Sequence, residues 1–246
     1  MSRKLNKREI EKFSRQIIMR NIGALGQKKI QEAKVLIIGM GGLGCPAAEF
    51  LTRSGIGTLG VADYDKVSLS NIHRQTLYTE KDINKSKVKI SKKRLNEINP
   101  KTKINVFDYK LNETKLHKII KKFDYIIDAT DNFESKFLIN DLSLKYKKFL
   151  VAGAISKFDG HIFTLNFKNK NNPSLRDFYQ EKVITNDILN CEYDGILGTV
   201  AGIVGTIQAN EILKKILNIG QSLDGFILIL DLLNLNIRKV KFKKRK

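Results

Sequence analysis

The chain has 246 residues, 42% of them hydrophobic and 28% charged, the composition of a globular protein able to bury a substantial core. Its longest apolar runs are strand-length, well short of the ~20 residues a membrane span needs. Lysine and arginine outnumber aspartate and glutamate 45 to 25, a net charge of +20. The lysines are scattered, however, and no recognition helix, RNA-binding aromatic signature or zinc finger accompanies them. The charge supports only non-specific contact with nucleic acid.

The opening residues, MSRKLNKREIEKF, contain no apolar core segment, so no secretory signal is visible and a cytoplasmic setting is expected. Two cysteines, Cys45 and Cys191, are too few for a structural zinc tetrad, and no disulfide is expected in that setting. Residues 1–30 read as helical, with Ile10, Phe13, Ile17 and Ile18 forming an apolar stripe. Residues 35–39, VLIIG, make a buried strand, and 45–55 a helix with Pro46 in its first turn and Gly55 at its end. A strand follows at 58–65, a helix at 86–100 stopped by Pro100, a strand at 103–109, a helix at 111–123 and a strand at 124–130. Such alternation predicts a Rossmann-like, doubly wound, mainly parallel sheet. Beyond residue 150, strand-like runs at 149–155, 161–167, 226–233 and 237–242 predict a partly antiparallel extension, with a glycine-spaced helix at 199–217. The polar stretch 168–195 is irregular, and a segment that long in a compact fold is usually functional or mobile. The expected organisation is one domain over 1–246: a helical arm (1–30), a nucleotide-binding half (31–150) and a second half (151–246).

Gly39-Met40-Gly41-Gly42-Leu43-Gly44 fits G-x-G-x-x-G between a strand and a helix. The first glycine makes the turn, the second admits phosphate to backbone amides, and the third lets helix and strand pack closely. Asp63, nineteen positions past Gly44, ends the next strand where a ribose hydroxyl would be read. Alone, this pattern favours NAD. The next residues decide against it: Asn71, Arg74 and Gln75 lie in SLSNIHRQ, and Lys87 opens the following helix. A triphosphate with magnesium needs such cations to neutralise charge and stabilise leaving pyrophosphate, whereas a dinucleotide needs few. DATDN then puts Asp128 and Asp131 at the carboxyl end of a strand, where a carboxylate suits magnesium. Taken singly, Arg74 and Lys87 also read as solvated charges, and Asp131 as a cap for the next helix.

SRQIIM (14–19), GMGGLGCPAAEFL, DYDKVSLSNIHRQ, the lysine of NKSKV, DATDN and the run from Cys191 to Gly205 occur in that order. Together they resemble the ThiF/MoeB/HesA family of activators of ubiquitin-like sulfur carriers, over nearly the whole chain. The resemblance implies binding of ATP and Mg2+ and transfer of AMP to the C-terminal Gly-Gly carboxylate of a small carrier, with release of pyrophosphate. On the matching positions, Gly39, Gly41, Gly42 and Gly44 would form the phosphate turn and Asp63 would bind ribose. Asn71, Arg74 and Lys87 would hold the triphosphate, with Asp65, Gln75 and Asn132 completing the nucleotide site. Asp131 would organise magnesium and the reacting groups. Arg15 would reach into a partner subunit's site, which implies a homodimer, and the carrier's tail would enter beneath residues 168–195. A sulfurtransferase is a further implied partner. Cys191 matches a cysteine that can link to the carrier; the alternative is an unused thiol.

The attack of a carboxylate on the α-phosphate needs alignment and charge neutralisation rather than a side-chain nucleophile. His73, His117 and His161 accordingly show no metal spacing, and Cys45 reads as a packing residue. Departures from the family pattern are specific. Ser174 and Asp177 stand where relatives carry the first of two C-x-x-C pairs, and the tail lacks the second, so no zinc is expected. Lys136 stands where an arginine is usual. The thiamine-thiazole branch stays open beside the molybdopterin branch, which VSLSNIHRQ favours. An NAD-dependent oxidoreductase and a non-catalytic scaffold for a ubiquitin-like protein are the rival functions.

Overall fold

The structure is a computed structural model that describes residues 5–179 and 195–245. Its elements alternate as the sequence predicts. Helices α1 (Lys7–Lys12), α2 (Ser14–Ile17) and α3 (Gly23–Glu32) lead into β1 (Lys34–Ile38) and α4 (Gly44–Arg53). There follow β2 (Thr58–Ala62), α5 (Lys87–Ile98), β3 (Lys103–Phe107), α6 (Glu113–Ile120), β4 (Tyr125–Asp128) and α7 (Phe133–Lys145). The second half contains β5 (Phe149–Ser156), β6 (Asp159–Asn166), α8 (Leu175–Phe178), α9 (Gly198–Leu217), β7 (Phe226–Asp231) and β8 (Asn236–Lys241). Among the described residues no helix is long and apolar enough to cross a membrane.

The eight strands form one sheet in the order β3-β2-β1-β4-β5-β6-β7-β8. Strands β1 to β5 pair in parallel, and β5 to β8 pair antiparallel. Strand order therefore reverses between β1 and β4, which opens a crevice at their carboxyl ends. The period-two alternation of β1 explains its unbroken apolar run. Val35 and Ile37 face a core shared with α3, α4, α5 and α9, while Leu36 and Ile38 face a second core with α6 and α7. Both faces are covered, so every position from Val35 to Ile38 is apolar, and only Lys34 at the strand's start is exposed. The covering ends at β8, all six residues of which are exposed.

The N-terminal arm departs from the expected continuous stripe. It is three short helices, and of the stripe only Phe13 is buried; Ile10 and Ile18 are exposed. Gly23, with φ +59°, starts α3 from a backbone conformation that closes off a continuous helix. Phe13 is buried because Gly55 leaves room for it: a Cβ on Gly55 would lie 2.6 Å from the ring.

Two glycines set the turn between β1 and α4. A Cβ on Gly44 would stand 1.9 Å from the Gly39 carbonyl oxygen, and Gly39, at φ +93°, would put one 2.5 Å from the Ala129 carbonyl. Helix α9 packs equally closely on this turn: a Cβ on Gly205 would lie 2.3 Å from the Leu43 carbonyl, and one on Gly198 2.5 Å from that of His73. Gly198 and Gly205 of α9 thus serve close packing, while Gly202 borders open space.

At the other end of the second half, Ser174 and Asp177 form a capping box over α8. The same Asp177 carboxylate accepts the Arg245 amide at 2.8 Å, tying the chain beyond β8 to α8. Burial pushes the Asp177 carboxyl up, but the amides of Arg245 and Ser174, the Ser174 hydroxyl and the Lys244 charge outweigh it and hold it below the usual range.

Gly44→Ala is expected to cost about 3 kcal/mol or more in urea denaturation, because backbone must move to admit the methyl group; a loss under about 1 kcal/mol would show that the turn yields cheaply. A depressed carboxylate contributes stability that is present above its unfolded pKa and lost as pH falls through its folded one. Asp177→Asn is therefore expected to cost about 1 kcal/mol near neutrality and to reduce the acid sensitivity of stability below pH ~4. Identical stability–pH curves for the two proteins would refute that role.

Candidate functional site

The crevice is a cleft of about 500 Å³ at the carboxyl ends of β1, β2 and β4. Of the candidate site residues, Gly39, Gly41, Gly42, Asp63, Asp65, Asn71, Arg74, Gln75, Lys87, Asp131 and Asn132 all line it. Gly44 lies behind the wall and serves the packing just described. Arg15, exposed on α2, does not line the cleft of its own chain. Cys191, residues 180–194 and the expected path of a carrier tail beneath them fall outside the described residues.

The floor is the glycine turn, and three contacts at Met40 fix it. The Met40 amide donates to Asp63 Oδ2 at 2.7 Å, and its carbonyl accepts from the Tyr78 hydroxyl at 2.9 Å and the Cys45 thiol at 3.5 Å. Helix α4 begins at this turn with no side-chain cap and no acidic residue in its first turn. Its positive end thus faces the cleft, an arrangement suited to an anion. Burial pushes the Cys45 thiol up to about 12, so it stays protonated and acts as the packing residue expected from its position.

One wall is basic. Lys87 is 6% exposed at the start of α5, and its Nζ donates to Asp65 Oδ2 at 2.9 Å. The Lys87 amide also donates to the Asp65 carbonyl at 3.0 Å, so strand end and helix start hold each other. Lys87 is therefore not a solvated charge. Arg74 lies over Gly42, its Nη1 donating to the Ser70 carbonyl at 2.9 Å and to His73 Nε2 at 2.7 Å. Gln75 is 3% exposed, and its Oε1 is buried without a hydrogen-bond partner among the described residues. A buried acceptor left unpaired is costly, and a donor on a bound molecule would satisfy it. Burial pushes the Asp63 carboxyl above its ordinary range, against the Lys87 charge and the amides of Asp65 and Met40.

The opposite wall is the DATDN segment after β4, and here two readings need correction. Asn132, not Asp131, caps α7: its Oδ1 accepts the Ser135 amide at 2.9 Å. Asp128 is fully buried and bonded to Thr130 and Lys136, so it is no ligand for a metal in the cleft. Asp131 is exposed, with its Oδ1 accepting from Asn132 Nδ2 at 3.2 Å. Among the described residues no three His, Cys, Asp or Glu side chains cluster as an all-protein metal cage.

Several lining residues had no sequence signal. Tyr109, Lys110 and Leu111 follow β3, Ala154 and Ile155 end β5, and Ile196 precedes α9. They belong to the site only because β3 and β5 flank the crevice. Tyr64, by contrast, stands inside the DYDKV motif and could have been read with Asp63 and Asp65.

The ThiF family profile matches residues 13–246. The probable molybdopterin-synthase adenylyltransferase of Gracilaria tenuistipitata var. liui is 40% identical over 96% of this chain and 66% of its own length. The Aedes aegypti adenylyltransferase and sulfurtransferase MOCS3 is 36% identical over 99% of this chain, which spans 55% of it. A Thermus thermophilus sulfur carrier protein adenylyltransferase is 33% identical, over 97% of this chain and 89% of its own. The chain thus spans between about half and two thirds of the first two relatives. A crystal structure of E. coli MccB with ATP shares the fold at a TM-score of 0.84, with 20% identity, over 98% of this chain and 73% of that one. With the glycine turn, the Asp63–Gln75 segment, Lys87 and the DATDN segment converging on one cleft and a profile match over nearly its whole length, the chain belongs to the ThiF family.

Proposed function

We propose that the protein is an ATP- and Mg2+-dependent adenylyltransferase that activates the C-terminal carboxylate of a ubiquitin-like sulfur carrier. The observation that carries this reading is the pairing of an uncapped helix N-terminus with Arg74 and Lys87 across one cleft from an exposed Asp131. In the reaction a carboxylate oxygen of the carrier's terminal glycine bonds to the α-phosphorus of ATP as the bond to the bridging oxygen breaks. The products are the acyl adenylate and pyrophosphate.

The glycine amides, Arg74 and Lys87 would bind the polyphosphate and spread the leaving group's charge, while Asp63 and Gln75 orient the nucleoside. A single exposed carboxylate fits a magnesium ion otherwise held by phosphate and water, so Asp131 would hold the ion, which neutralises phosphate charge. Residues 151–246 would serve as the carrier-binding half. The molybdopterin carrier is favoured by VSLSNIHRQ and by the Gracilaria relative, and a separate sulfurtransferase would then load the activated carrier. The active form would be a homodimer with Arg15 acting in trans. In its support, Ile18, Met19, Leu25, Phe50 and Ile203 are exposed on or beside α2, α3, α4 and α9, elements packed against one another.

Incubation with ATP, Mg2+ and labelled pyrophosphate should give carrier-dependent exchange into ATP, greater with the molybdopterin carrier than with the thiazole carrier. Asp131→Ala should lower exchange at least about 100-fold while carrier binding persists. No exchange with either carrier, or a melting temperature raised by NADH but not by ATP, would overturn the enzyme assignment. For the dimer, mixing inactive Arg15→Ala and Asp131→Ala proteins should recover activity, since a mixed dimer has one site with both residues intact. Absence of recovery after proven subunit exchange would place Arg15 outside the partner's site.

A further inference from the structure

At the wall of the cleft, which Thr130 and Lys136 help to line, the carboxyl end of β4 is held by a buried polar network reaching both faces of the sheet. One oxygen of the Asp128 carboxylate accepts from the Thr130 amide at 2.9 Å and the Thr130 hydroxyl at 2.6 Å. The other accepts from Lys136 Nζ at 3.2 Å. Lys136, 5% exposed on α7, also donates to the Gly153 carbonyl of β5 at 2.6 Å. From the other side, Gln208 of α9 donates through Nε2 to the Asp128 carbonyl at 2.8 Å and the Val151 carbonyl at 3.2 Å. Gly153 has no side chain to obstruct this: a Cβ there would lie 2.8 Å from Gln208 Nε2.

A buried ion pair adds little net stability, because desolvation of both ions offsets their attraction, and apolar residues of similar volume would serve as well. What the ions add is direction. The Thr130 amide and hydroxyl fold back onto Asp128 and set the peptide that leads into Asp131. On its other side Asp131 accepts from Asn132, whose own Oδ1 is fixed as the cap of α7. The turn carrying Asp131 is thus clamped at both ends, and Lys136 is the only one of its anchors to reach back from within α7 to β4 and across to β5. We propose that Lys136, with Asp128 and Gln208, forms a positioning unit that holds Asp131 at the angle the adenylation step requires. This inference rests on the adenylation reading given above. Lys136 also lines the cleft, but two of its three protons are committed to Asp128 and Gly153, which assigns it to act through the Asp131 turn rather than as a third phosphate cation.

The two roles separate kinetically. A phosphate contact would raise KM for ATP, whereas a positioning residue lowers kcat. Lys136→Met is expected to lower kcat for exchange about ten- to hundred-fold with KM for ATP within about twofold of wild type. Lys136→Arg, whose guanidinium can donate to two oxygens at once, should restore most of it. Amide hydrogen exchange should show Thr130 losing about tenfold or more protection in Lys136→Met while β1 stays protected. Gln208→Met, acting from another helix, should give the same signature, and it carries the test if Lys136→Met fails to fold. A variant whose kcat stays within about twofold of wild type, or whose defect is confined to KM for ATP, overturns the proposal. If wild type shows no exchange with any carrier, the adenylation reading falls. Amide exchange at Thr130 then still decides whether Lys136 holds the turn, and unchanged protection refutes it.

Discussion

The site depends on one steric constraint, the approach of the Gly44 backbone to the Gly39 carbonyl. No side chain fits between them, since a Cβ on Gly44 would fall 1.9 Å from that oxygen. The contact brings the start of α4 hard against the end of β1 at the point where strand order reverses. From there the positive end of the helix faces the crevice. Cys45, Tyr78 and Asp63 all grip Met40 within the same turn, so its amides are held in place before any ligand arrives. Preorganised donors of this kind lose nothing to reorientation on binding.

Around that turn, charge is sorted by burial. Lys87 is almost wholly enclosed yet paired to the partly exposed Asp65, so its charge stays at the cleft surface. Asp128 and Asp131, three positions apart in one motif, have opposite fates. Asp128 points inward and is neutralised by Lys136, while Asp131 faces the cleft and, among the described residues, accepts from the Asn132 side-chain amide. Strand β4 ends at Asp128, so its alternation sets that side chain, whereas the turn held by Thr130 and Asn132 sets Asp131.

The second half solves a different problem. Strand β7 still buries Ile227 and Leu230, but β8 extends past the helices that cover the sheet and is exposed throughout. Its end is tied back by an aromatic cluster and a polar clasp. Phe242 packs edge-on against Phe163 and Phe178, and Asp177 takes the Arg245 amide. Ser174 and Asp177 thus bond to each other, and Asp177 to the Arg245 amide, joining α8 to the chain beyond β8.

The order of strands and helices, the glycine turn and the principal charged residues of the cleft were legible from residues alone. Period-two and helical patterns report local backbone, and each glycine of the motif answers a local steric demand. The cleft's Asp63, Asn71, Arg74, Lys87 and Asp131 were legible because they sit at strand ends or helix starts, positions the alternation itself locates. Tertiary structure alone decided three things. It broke the N-terminal stripe, because burial of Phe13 depends on space left by the distant Gly55. It chose Asn132 over Asp131 as the cap, because the rotation of a turn is set by its anchors. And it joined Lys136, Asp128, Gly153 and Gln208 into one network, since residues 80 positions apart meet only when two helices close on opposite faces of the same sheet.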